Sequence, residues 1–338
     1  HAAQQLQKKR FAIGHARANK VQLDWDAYDV PAPAKPGITV FEDFDLAELV
    51  SRFDWKPFFE TWELHGRFPD ILKDEKVGET ARSLYEDAQA MLKRIVDEKW
   101  FKPRAVVGIW PANSVDDDIE VTPAPDHNEP VMLRTLRQQM FRENNKRPNR
   151  ALADYIAPKD SGKTDYIGGF VVTAGPQVEE IASKLEAEHD DYNAILVKAL
   201  GDRFAEAFAE RMHEHVRKDL WGYASDETLA NDDLISEKYR GIRPAPGYPA
   251  CPEHTEKRTL WQLLDANKNV GVELTESCAM TPASSVSGFY FAHPEAKYFG
   301  LGKIERDQVE SYAERKGMTM TEAERWLAPN LNYDPRRA

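Results

Sequence analysis

Cysteine is nearly absent. Cys251 and Cys278 are the only two in 338 residues, so no disulfide framework can hold the fold, and a reducing cytosol is the expected compartment. No apolar run approaches the roughly 18 residues that span a bilayer, and no short hydrophobic stretch with a cleavage site opens the chain, so no membrane partner is expected. Positive charge is in deficit: net charge is −12 and the pI about 5.3, which repels a phosphate backbone and excludes nucleic acid as the expected partner. The glycine-rich turn G-x-G-x-x-G does not occur. SGKT at 161–164 imitates the end of a phosphate loop, but Ala157 stands where that loop needs glycine, and a proline follows it. Metal and nucleophile signatures are equally thin. Cys251-x-x-His254 has no companion pair, HEH at 213–215 lacks the H-E-x-x-H spacing, and no Ser-His-Asp signature is visible. No metal site is expected. The chain starts at His1 rather than Met, which suggests a piece of a longer protein.

What is present is a folded, aromatic-rich chain. Hydrophobic residues make up 41% and tryptophan alone counts eight, enough for a sizeable core. Residues 1–20 carry Lys8, Lys9, Arg10, Arg17 and Lys20 with no acid; they read as a basic interdomain arm or, alternatively, as one solvated helix face. PAPAKPG at 31–37 reads as a stiff connector, so ordered structure is expected from about Ile38. Asp45 and Glu48 form a capping pair before LAELVSRF. In DWKPFFETWEL (54–64), Trp55, Phe58, Phe59 and Trp62 sit at helical spacing and read as core, which leaves Asp54 and Lys56 free for other work.

Period 3.6 predicts a helix over Glu79–Trp100, another over about 178–188, and a long one over Asp191–Trp221 with Leu196, Leu200, Phe204, Phe208, Met212, Val216 and Leu220 as its core stripe. Glu206 lies at the edge of that stripe, where an exposed carboxylate is the plain alternative. Shorter helices are predicted near 232–239, 255–265, 305–316 and 321–327. Strands are predicted at 104–115, 131–141 and 165–173, with DDDIEV (116–121) leading into another and two more around 272–302. The acids Asp116–Asp118 read as a solvated turn rather than a cation site, because three adjacent carboxylates cannot all face one ion. Strands mixed with long helices and no βαβ regularity predict an α+β fold, a single large domain with long helices around a central, mainly antiparallel sheet.

The stretch around which the chain is organised is Arg243–His254, RPAPGYPACPEH. Pro244, Pro246, Pro249 and Pro252 forbid a helix and hold the backbone extended. Gly247 marks a positive-φ turn or a close approach, and Tyr248 adds an aromatic face and a hydroxyl. A guanidinium fork grips a carboxylate, so the loop suits a zwitterionic small molecule, with a surface connector as the plainer alternative.

Four stretches resemble the C-terminal reactivation domain of cobalamin-dependent methionine synthase: DWKPFFETWEL (54–64), ADYIAPKDSGKTDYIGGF (153–170), RPAPGYPACPEHTEK (243–257), and VSGFYFAHPEAKYFGLGKIERDQVE with ERWLAPNL (286–310, 324–331). The resemblance runs from about residue 38 to the end, and implies an S-adenosylmethionine-binding domain at 38–338 behind a basic linker at 1–37. Such a domain donates the ligand's methyl group to the cobalt of cob(I)alamin held on a neighbouring cobalamin-binding domain, with flavodoxin as electron donor, in support of methionine biosynthesis.

The family's RxxxGY element stands here as Arg243, Gly247 and Tyr248. The resemblance implies that Arg243 grips the methionine carboxylate, the Ala245 backbone meets the adenosyl part, and Asp54 takes the ammonium. Glu206 and Tyr298 would line the rest, with Tyr248 and His254 facing cobalamin. Cobalamin and zinc would both lie outside this stretch. No role is implied for Asp116–Asp118 or for 122–150. The alternatives are a self-contained methyltransferase, which would need its own acceptor pocket, and a module that senses S-adenosylmethionine without chemistry.

Overall fold

Residues 104–115 and 165–173 place bulky side chains on both sides of an extended chain, and such strands need cover on both faces. The computed structural model describes residues 9–123, 129–141 and 147–337 and provides that cover. Its strands are β1 (Gly37–Phe41), β2 (Arg104–Val115), β3 (Asp118–Val121), β4 (Val131–Arg134), β5 (Asp165–Thr173), β6 (Glu273–Leu274), β7 (Met280–Thr281) and β8 (Ser285–Tyr290). The main sheet runs β4-β3-β2-β5-β8 with every pairing antiparallel. β2 is long enough to serve two partners on one edge: Ala105–Ile109 pair with β1 and Ala112–Val115 with β3, while β5 pairs along the other edge.

The helices are α1 (Ile13–Ala18), α2 (Leu46–Val50), α3 (Lys56–Thr61), α4 (Gly78–Asp97), α5 (Gln177–Ala187), α6 (Asp191–His215), α7 (Asn231–Ile235), α8 (Glu256–Leu264), α9 (Ala266–Val270), α10 (Arg306–Lys316) and α11 (Met320–Trp326). Asp45 Oδ1 accepts from Ala47 N and caps α2. Val107, Ile109, Phe170 and Val172 share one core with α4, α5 and α6, and Val106, Trp110, Ile167 and Val171 share the other with α8 and α9. A third cluster joins α10 and α11 through Val309, Tyr312, Ala323 and Leu327. The class is α+β, as the sequence predicts.

The predicted stripe on α6 is buried throughout. A step of four residues turns about 40° past a full helical circle, so a stripe in fours winds around its helix. It stays buried because Ala194, Val197, Ala205 and Ala209 are buried too and neighbours cover α6 on most sides. The helix then widens into a π turn at Val216–Leu220.

Three expectations are corrected. Ordered structure begins well before Ile38. Phe11 N donates to Gln139 O (2.8 Å), Arg17 Nε meets Asp117 Oδ2 (2.6 Å), Trp221 Nε1 donates to Pro31 O (2.9 Å) and Lys35 N to Leu220 O (2.8 Å), so residues 9–36 lie along the body rather than swinging free of it. Lys8 and the rest of 1–8 lie outside the described residues. Asp116–Asp118 is a turn solvated only at Asp116: Asp117 and Asp118 are buried, the first between Arg17 and Arg137, the second between Arg134 and Arg315. The third concerns 131–141, where only Val131–Arg134 is strand; residues 135–141 satisfy their backbone through scattered partners, such as Gln308 Oε1, which accepts from Arg137 N (2.7 Å), and Arg150 O, which accepts from Gln138 N (2.9 Å).

Candidate functional site

The loop after α7 follows the rules its prolines impose. No helix forms between Arg243 and Cys251. The chain instead lies along the free edge of β8, with Ile242 and Phe291 exchanging two backbone bonds of 3.0 Å and Phe289 N donating to Pro244 O (2.8 Å). Gly288 permits that approach, since a Cβ there would stand 2.9 Å from Pro244 O. The turn closes where Gly247 N donates to Cys251 O (2.8 Å). Gly247 has φ +93°, and a Cβ on it would come 2.4 Å from His254 Cε1. Both reasons for glycine, the positive φ and the close approach, therefore apply at one residue.

Between this loop, β8 and α6 lies a cavity of about 470 Å³, within the size range of small-molecule sites. Phe170, Pro244, Val286 and Phe299 give it apolar walls, and Glu206, Arg243, Ala245, Tyr248 and Tyr298 supply the polar groups. A second cavity of about 310 Å³ adjoins it and shares Glu206, Glu237 and Arg243 with it. Asp54, Arg52, Arg203 and Glu210 line this second, charged chamber. One apolar chamber and one charged chamber thus meet at the Arg243 guanidinium.

Arg243 is fixed by what surrounds it. Its Nη1 donates to Glu210 Oε2 (3.1 Å), and its backbone N–H donates to the Tyr298 hydroxyl (2.9 Å), which pairs in turn with the Tyr239 hydroxyl (2.7 Å). Burial is the largest influence on Arg243 and works against its charge, but Glu210 and the surrounding tyrosines together outweigh it and the guanidinium is held above its ordinary range. Burial raises the Tyr298 and Tyr239 phenols, so both stay protonated and able to donate. Glu237 at the shared wall is raised by burial, with Arg243 opposing. Tyr248 is 61% exposed at the mouth; burial of its inner part and the nearby Glu206 raise it.

Of the residues singled out in the sequence, Glu206, Arg243, Ala245, Tyr248 and Tyr298 come together around one cavity. Asp54 lies in the charged chamber, and its Oδ1 accepts from the N–H of Lys56, the first residue of α3 (3.0 Å). Gly247 shapes the turn and does not line the cavity. His254 is not on the wall either: it backs Gly247 on the far side of the loop, with Lys257 Nζ 3.2 Å from its Nδ1 and Trp326 beyond, and burial with Lys257 lowers it. Sequence reasoning missed Glu210, Glu237, Phe170 and the β8 floor at Val286–Ser287. Glu210 had a readable signal, one helical turn beyond Glu206 on the same face. The β8 residues had none, because pairing between distant segments brings them there. Among the described residues no group of three His, Cys, Asp or Glu side chains could hold a metal ion, and no helix is long and apolar enough to cross a membrane.

Two comparisons bear on this geometry. Residues 45–317 match the sequence model of the family described as vitamin B12 dependent methionine synthase, activation domain. The chain is also similar to a solved structure, the crystal structure of the MetH reactivation domain bound to AdoHcy, at 52% identity and a TM-score of 0.93, covering 97% of this chain and 100% of that one.

Proposed function

Because the chain belongs to the vitamin B12-dependent methionine synthase activation-domain family, we propose that it binds S-adenosylmethionine across the two chambers and presents its methyl group to cob(I)alamin on a neighbouring cobalamin-binding domain. The observation that carries this reading is the meeting of an apolar chamber and a charged one at a fixed guanidinium. The ligand has the same division: a flat adenosine at one end, an ammonium and a carboxylate at the other, and a sulfonium between. Its relative's AdoHcy-bound structure supports a ligand of that shape.

In this reading the adenosyl group lies among Phe170, Pro244, Val286 and Phe299, against the Ala245 backbone. Arg243 holds the carboxylate, since a guanidinium is the side chain matched to it in charge and shape. Asp54 takes the ammonium, while Glu206 and the Tyr248 ring face the sulfonium. Tyr298 keeps the Arg243 backbone in register. Tyr248, exposed at the mouth, and His254, on the outer side of the loop, face the cobalamin. The reduced acceptor supplies the nucleophile, and neutral S-adenosylhomocysteine leaves, so the domain moves no proton. It contributes position and orientation. Flavodoxin serves as the electron donor; it docks through a local basic patch, and its affinity falls as salt rises.

Calorimetric titration of the protein with S-adenosylmethionine tests the reading. Saturable binding that weakens by about 1.5–3 kcal/mol in Arg243→Ala is expected. No binding by the folded parent would refute it. Adding a cobalamin-loaded partner domain and a low-potential reductant separates methyl donation from sensing, because a sensor binds equally well and methylates nothing.

A further inference from the structure

Three guanidiniums line the charged chamber, and the structure commits two of them. Arg52 gives Nε and Nη2 to Glu214 Oε2 (3.1 and 2.7 Å). Arg243 gives Nη1 to Glu210. Arg203, half-buried on α6, has no hydrogen-bond, ion-pair or ring partner among the described residues. An unpaired guanidinium beside acids is unusual, because side chains three residues apart on a helix are neighbours. Glu206 stands at that spacing and Glu210 lines the same chamber, yet neither pairs with Arg203; Glu210 is turned to Arg243 instead. The five donors of Arg203 thus remain available in a chamber that also holds the carboxylates of Asp54, Glu206 and Glu237.

We propose that Arg203 is a second carboxylate-binding residue, which closes with Arg243 on the amino-acid end of the ligand. This rests on the functional reading above and deepens it. Arg243 already shares its charge with Glu210, so it neutralises a ligand carboxylate only in part; Arg203 brings the uncommitted positive charge. The chamber then sorts the two ends of the zwitterion: the carboxylate lies between Arg203 and Arg243, and the ammonium lies toward Asp54. A nucleoside thioether lacking the amino-acid group would fill the apolar chamber without using Arg203. The guanidinium is therefore a specificity-determining group for the α-carboxylate.

The test compares S-adenosylmethionine with decarboxylated S-adenosylmethionine by calorimetry on the parent and on Arg203→Gln, with circular dichroism to check the fold. Arg203 carries no internal bond, so Arg203→Gln is expected to fold as the parent does. The parent should prefer the carboxylated ligand, and Arg203→Gln should narrow that preference roughly 10-fold or more, through loss of a charge-assisted pair, while affinity for the decarboxylated ligand holds. Equal weakening toward both ligands, or no change toward either, would overturn the role of Arg203 while the functional reading stands. A folded parent that binds neither ligand would overturn both.

Discussion

Gly247 carries more constraint than any neighbour in its loop, because positive φ and the His254 ring both exclude a side chain there. Gly247→Ala should cost on the order of 2–4 kcal/mol, from left-handed strain plus displacement of His254. Urea unfolding measures it, and an unchanged midpoint would show that the loop relaxes freely. Arg243 poses a different problem, since it serves both the cavity and Glu210. Arg243→Ala leaves the Glu210 carboxylate buried without its partner, so it should lose stability as well as affinity. Adding Glu210→Gln should restore stability but not ligand binding. If both recover together, Arg243 acts only by holding Glu210.

At the scale of elements, the buried ion network explains how segments far apart in the chain are joined. Arg137 donates to Asp117 Oδ1 and to both oxygens of Asp154 (2.7–2.8 Å), and Arg17 joins Asp117 from the α1 side. Asp118 ties β3 to Arg315 on α10. Lys316 reaches Glu253 (2.8 Å) and Glu256 behind the central loop. Burial alone would raise the Asp117 carboxyl, but Arg137 and Arg17 together hold it below its usual range. Removing one member leaves uncompensated charge, so Arg137→Ala should destabilise the protein by about 3–5 kcal/mol. Denaturant titration reads this directly, and a loss below about 1 kcal/mol, the size expected of a surface pair, would mean that water replaces the guanidinium.

For the whole molecule, acid should act first where the N-terminal segment meets the body. His293 is buried against Tyr28 (4.4 Å between ring centroids) and Trp25 (5.1 Å), and its Nδ1 accepts from Glu295 N (3.1 Å). Burial, helped by the Arg240 charge, pushes its pKa down to about 4, against about 6.5 in an unfolded chain. The fold therefore holds the neutral ring. Its contribution is fully present above about pH 6.5 and is lost as pH falls through about 4, amounting to on the order of 3 kcal/mol. The stability gap between the parent and His293→Gln should shrink over that interval. A gap independent of pH would show that the ring does not titrate there. Exchange protection at the Lys35 amide, which donates to Leu220 O (2.8 Å), would report whether the segment leaves first.

Local chemistry alone determined a good deal of this protein. The spans of β2 and β5, the helices near 79–97, 177–187 and 191–215, the positive-φ glycine at 247 and the helix-free proline loop were all legible, because periodicity, caps and ring constraints act within a few residues. The grouping of Glu206, Arg243, Ala245, Tyr248 and Tyr298 rested on resemblance, since no spacing rule joins residues almost a hundred positions apart. Tertiary structure alone decided the rest. It turned the acids at 117 and 118 inward, because cations from α1, residues 134–137 and α10 converge on them. It laid residues 9–36 on the body through backbone bonds that composition does not reveal. It also brought Glu210 to Arg243 and left Arg203 unpaired, since the side of α6 that faces the charged chamber depends on how the whole sheet packs beneath it.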